Sequence, residues 1–153
     1  MLNTFKKKYL YYLIQFTWGL DMNILGFIGF LFCKFILGWE ISKYYKNIVI
    51  SPKNKTINSG LSLGIFLFMD KNATESLKQH EYGHSIQNLI FGEFFLLFIG
   101  IPSLIRSCYY NFIINKLKLY TKEKYNYYSI WFERDASVLG ERVIDDKAWD
   151  WLI

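Results

Sequence analysis

The only two histidines in the chain fall in one short string, His80-Glu81-Tyr82-Gly83-His84. Residues four apart lie one turn apart on the same face of a helix, so both imidazoles point at one place. Two ring nitrogens presented in this way suit zinc, Zn2+, which binds them tetrahedrally and in catalytic sites keeps one position for water. The glutamate between them is then near enough to take that water's proton, which makes Glu81 the expected general base. A third ligand must come from elsewhere. A histidine six positions beyond His84 would serve, but Ile90 stands there. The alternative is a downstream carboxylate, and Glu93, Glu123, Glu133, Glu141 and the C-terminal aspartates are available. Glu93 would require the chain to reverse directly after Gly92, and Glu123 lies in a lysine-rich, solvated stretch. Glu133 opens the string Glu133-Arg134-Asp135-Ala136-Ser137 in helical surroundings, with Ala136 about one turn on. A small residue there lets its helix pack closely on the motif helix and bring the carboxylate to the metal. His80, His84 and Glu133 are therefore the expected ligands.

The elements around this string must position it. Asn72-Ala73-Thr74-Glu75 sets an N-cap residue three places ahead of a glutamate, as in a capping box, and Gly92 stops the helix after Phe91. Ahead of the helix, residues 47–51, a turn cluster at 52–55 and residues 56–69 read as a hairpin or two neighbouring strands. Gly60 and Gly64 mark a bulge or a close approach by another backbone. Strand 61–69 is the expected edge along which an extended substrate lies. Downstream, 86–105 reaches membrane length but contains Gln87, Asn88, Glu93 and Pro102. A basic, aromatic helix is expected over 103–119, a loop over 121–128 and a last helix from near Ser129, followed by an aromatic tail at 148–153. Tyr109, Tyr110, Tyr127, Tyr128, Arg106 and Arg134 are candidates for stabilising an oxyanion.

Composition says where such a site works. The chain has 153 residues, enough for one domain with a core, and 52% are apolar, with 14 Phe, 12 Tyr and 5 Trp. Intrinsic disorder is excluded. The net charge is +5, and the lysine clusters flank apolar runs, which fits a membrane surface and membrane lipid better than nucleic acid. No nucleic-acid-binding motif is present. Cys33 and Cys108 lie in apolar segments and read as buried thiols rather than a disulfide framework. Residues 22–39 carry one charge, Lys34, and are bracketed by Trp18 and Trp39. A transmembrane or re-entrant helix is expected there, with a buried core helix or an interfacial helix as alternatives. No small-residue cleavage site follows, which argues against a signal peptide. The expected fold is mostly α with a small antiparallel β-sheet (α+β): a membrane-associated helical segment over 1–46, and a zincin-like core over 47–153.

H-E-x-x-H followed at a distance by E-x-x-A resembles the gluzincin metallopeptidases, and most closely their integral-membrane branch. That branch includes the CAAX-prenyl endopeptidases and the bacterial heat-shock membrane protease. The strings HEYGHSIQN, IGIPSLI and YYSIWFERDAS also resemble a group of small bacterial predicted metallopeptidases. The resemblance implies a zinc metalloendopeptidase of the bacterial cell membrane that hydrolyses a peptide or protein substrate. His80, His84 and Glu133 would be its ligands and Glu81 its base. Ser137 departs from the pattern, because the family carries there an aspartate that supports a ligand histidine; Asp135 is the nearest substitute. The rival expectations are a non-catalytic metal-binding membrane scaffold and a small membrane protein of immunity or pore type.

Overall fold

In the computed structural model, residues 2–53, 59–110, 112 and 129–144 are described. The chain begins with helices α1 (Leu2–Gln15) and α2 (Leu20–Leu31), the latter extended by a π-helical turn, Phe32–Ile36. Strands β1 (Glu40–Tyr44), β2 (Asn47–Ser51), β3 (Leu61–Leu63) and β4 (Phe66–Phe68) follow. Helix α3 (Glu75–Phe91) carries both histidines. A 3-10 turn (Gly92–Phe94) and a π-helical turn (Leu96–Gly100) lead into α4 (Ile101–Tyr110), and α5 (Trp131–Ile144) completes the described structure.

The fold is mostly helical with one small sheet, as expected, but the sheet is mixed rather than antiparallel. Its order is β1-β2-β4-β3, with β2 and β4 parallel and the two outer pairs antiparallel. The difference arises from two tight hairpins. Tyr45-Lys46 closes β1–β2, with Tyr45 at a φ of 51°, and Gly64-Ile65 closes β3–β4, with Gly64 at 62°. Gly64 is thus a turn residue, and the anticipated single run 61–69 is two short strands. Strand β1 has no glycine in its turn to announce it. Its pairing with β2 also places residue 46 inside a hairpin.

Alternate residues of the sheet face α2. Gly26 and Gly29 let that helix lie directly on Leu63, Phe66 and Phe68, where a β-carbon would strike the strand. Behind them Tyr11, Ile50, Tyr82 and Ile86 are fully buried. A seam of amides and hydroxyls runs through this core. Tyr11 donates to Asn47, whose Nδ2 donates to Ser85 Oγ at 2.8 Å. Gln15 Nε2 donates to the Ser85 carbonyl at 2.9 Å, while Gln15 Oε1 accepts from Asn23 at 2.9 Å and from Asn88 at 2.8 Å. Buried polar groups are tolerable only when paired, and these pair across α1, α2, β2 and α3.

Among the described residues, no single helix is long and apolar enough to cross a membrane. The helix expected over 22–39 ends at Ile36, because β1 begins at Glu40. Helices α1 and α2 are bent by 88°, and α3 and α4 by 119°. The outer faces are nonetheless strongly apolar. Ile28, Phe35 and Ile36 are exposed along α2 and its extension, as are Leu97, Leu104 and Ile105 along α4 and the turn before it. Cys33 is buried, but Cys108 is exposed, because α4 buries none of its residues. The predicted helix over 103–119 is found as α4 as far as Tyr110, with 112 the one described residue beyond it in that range, and the loop at 121–128 and the tail at 148–153 lie outside the described residues.

Candidate metal centre

Helix α3 starts two residues later than a cap at Asn72 would give. Thr74 is its N-cap and accepts from the Leu77 amide at 3.3 Å, whereas the Asn72 amide donates to Asp70 in the preceding turn. Gly92 ends it at a φ of 54°, as its type suggests. From His80 to Leu89 every residue is buried, so the helix runs through the interior rather than along a surface.

Helix α5 crosses α3 at backbone contact. A β-carbon on Gly83 would strike the Ala136 carbonyl, and one on Gly140 would strike the Gln79 carbonyl. Ala136 is fully buried at this crossing, which is the tight packing its size allows. The approach carries Glu133, itself fully buried, to the histidines. Glu133 Oε2 lies 3.1 Å from His80 Nε2 and 3.6 Å from His84 Nε2. Ligand atoms from His80, His84 and Glu133 all lie within 4.8 Å of one another, close enough to hold a metal ion. Glu93 and Glu141 are exposed, and Glu123 lies outside the described residues.

The hydrogen bonds behind the histidines decide which way their lone pairs face. Gln87 Nε2 donates to the Phe132 carbonyl at 2.8 Å, which leaves Gln87 Oε1 to accept from His84 Nδ1 at 2.8 Å. Ser137 donates to the Glu133 carbonyl at 3.3 Å, which leaves its oxygen to accept from His80 Nδ1 at 2.9 Å. In the neutral rings both Nε2 atoms therefore carry lone pairs, and both face a carboxylate oxygen. Three acceptors converging in a buried place repel one another unless a cation sits between them, either a proton or a metal. The donor set thus fits a metal. Ser137, where the resemblance expects aspartate, fills the supporting role itself. Asp135 does not replace it, but pairs with Arg134 at 3.5 Å near the surface.

The electrostatics agree. Burial alone would raise the Glu133 pKa, but with a proton as the shared cation, hydrogen bonds from His80 and His84 hold it well below the usual carboxylate range. Ser103 also donates to Glu133 Oε1, leaving Oε2 towards the histidines. Burial works against a charge on His84, yet contact with Glu133 and the Glu81 carboxylate raises its pKa. Glu81 is pushed up, chiefly by burial. Gly60 lies directly over its carboxylate, where a side chain would not fit.

A cavity of about 280 Å³ opens beside these residues, with His80, Glu81 and His84 in its wall. Residues 60–63 form one side and Ile99, Leu104 and neighbours of the α4 region the other. None of Tyr109, Tyr110, Arg106 and Arg134 lines it, and Tyr127 and Tyr128 lie outside the described residues. The hydroxyls that do line it are Ser62, Ser103 and Ser107. Sequence reasoning passed over Gln87, Ser62, Ser103 and the two crossing glycines. Gln87 lies three residues after His84 and Gly140 four after Ala136, so helical spacing could have marked both. No family model, no curated protein and no solved structure matches the chain.

Proposed function

We propose that this chain is a membrane-associated zinc metallopeptidase of gluzincin type. The observation that carries the reading is the convergence of His80, His84 and Glu133 in a buried cluster, each histidine oriented from behind, with Glu81 and a cavity alongside. Three protein donors, rather than the four of a closed structural site, favour catalysis over a scaffold among the described residues. Bound there, zinc would supply Lewis acidity and a lowered pKa for water. Glu81 takes the proton of the attacking water and delivers it to the leaving amine, and its raised pKa suits a base that must later act as an acid. Strand β3, at the sheet edge, offers its outer backbone groups to an extended peptide. The exposed apolar faces of α2 and α4 would seat the molecule in a lipid interface, with the cavity between them.

The test joins metal analysis to a peptide-library digest in detergent. Wild type should contain near-stoichiometric zinc and cleave, His84→Ala and Glu133→Ala should lose the metal, and Glu81→Gln should keep it while losing turnover. Wild type without zinc, or Glu81→Gln with full activity, would overturn the reading.

A further inference from the structure

Ser62 is the middle residue of β3 and lines the cavity with only 7% of its surface exposed. Its hydroxyl has no hydrogen-bond partner among the described residues. The other hydroxyls of the cavity differ: Ser103 is committed to Glu133, and Ser107 sits half-buried on α4. Beyond the His80, Glu81 and His84 cluster the cavity wall is apolar, built from Leu61 and Leu63, which alternate to the other face of β3, and from Met22, Phe95 and Ile99. A buried hydroxyl in such a place weakens the free fold unless it meets a partner, so its position beside the metal-ligand cluster points to a ligand.

Geometry says what that partner is. Gly60 lies over the Glu81 carboxylate, so on the peptidase reading the reacting peptide bond would pass the strand edge beside it. Ser62 is two residues along, on a strand whose side chains alternate between faces. A substrate strand paired with the edge places one of its own side chains directly across from Ser62, at the spacing where hydroxyl pairs on neighbouring strands bond. We propose that Ser62 forms a polar subsite in an otherwise apolar groove and selects substrates with serine or threonine two residues from the cleaved bond, flanked by apolar residues. This rests on the peptidase reading above.

The experiment is a digest of a mixed peptide library by the full chain in detergent, with cleavage sites read by mass spectrometry. Wild type should favour threonine over its isostere valine at one such position by about three- to ten-fold, the range a neutral hydrogen bond supplies. Ser62→Ala should lose that preference while cleaving at other sites, and Ser62→Thr should keep it. Ser62→Ala should also melt at or above the wild-type temperature, because it removes an unpaired buried hydroxyl. A preference that is absent in wild type or unchanged in Ser62→Ala, or a clear drop in melting temperature, overturns the assignment while leaving the peptidase reading intact. Wild type that cleaves nothing overturns both.

Discussion

Replacing Gly83 by alanine tests the crossing of α3 and α5 with opposing signs built in. Alanine in place of an interior helical glycine ordinarily stabilises by about 0.5–1 kcal/mol. Here the new methyl group falls on the Ala136 carbonyl, which is backbone and has no rotamer to escape into. Overpacking costs about 1–3 kcal/mol, and a rigid neighbour puts this site at the upper end. The difference is a net loss of ~2 kcal/mol, or a fall in melting temperature of about 4–8 °C for a chain of this size. Relief requires α5 to move away by on the order of 1 Å, since packed interiors have no slack. Glu133 lies about one turn before Ala136, so its carboxylate moves too. Metal–oxygen distances tolerate only ~0.2 Å. Metal affinity should therefore fall by more than the ~10–100-fold that loss of a supporting partner costs. Thermal melts followed by circular dichroism, with and without zinc, and a competition titration measure both quantities. Gly83→Ala protein that melts at or above wild type with undiminished zinc affinity would refute the close crossing as the device that brings Glu133 into place.

Gln87→Leu and Ser137→Ala each remove the acceptor behind one histidine and should weaken zinc binding ~10–100-fold in a chelator competition, with the helix content kept. Ser137→Asp, which supplies a charged acceptor, should bind at least as tightly as wild type. In the metal-free protein the Glu133 carboxyl titrates below its ordinary value of 4.5. The folded state therefore binds fewer protons there than the unfolded chain, and this part of the stability is present above pH 4.5 and lost as pH falls below it. Urea midpoints across that range should show the slope in wild type and a flatter one in Glu133→Gln. Replacing exposed Ile28 and Phe35 together with aspartate should release the protein from sedimenting lipid vesicles while leaving zinc content unchanged; unchanged sedimentation would refute the lipid-seated face.

What could be read from residues alone followed local rules. The helix stop at Gly92, the small Ala136 and the distance from His84 to Glu133 are visible in spacing and side-chain size, and the structure places all three accordingly. The sheet was less legible. Tyr45 adopts a positive φ without the glycine or asparagine that usually signals it, so β1 stayed hidden and the parallel β2–β4 pair with it. The supporting groups were hidden for another reason. Whether Ser137 can stand in for a carboxylate depends on its own proton going to the Glu133 carbonyl, a fact of three-dimensional pairing that no spacing rule contains. Cys108 was misplaced because apolar sequence looks the same whether it faces a core or lies exposed, as α4 does.

The amide seam through the core bears on how the protein can be handled. A usual route to a more soluble form of a protein with apolar N-terminal helices is to cut them off. Here Tyr11 and Gln15 supply hydrogen bonds to Asn47, Ser85 and Asn88, two of which sit on the helix that bears the histidines. Deleting α1 would strip those groups of partners in the interior and open the histidine-bearing helix to water on its rear face. Solubilisation should instead proceed by changing outward side chains one face at a time, with the first helix left in place.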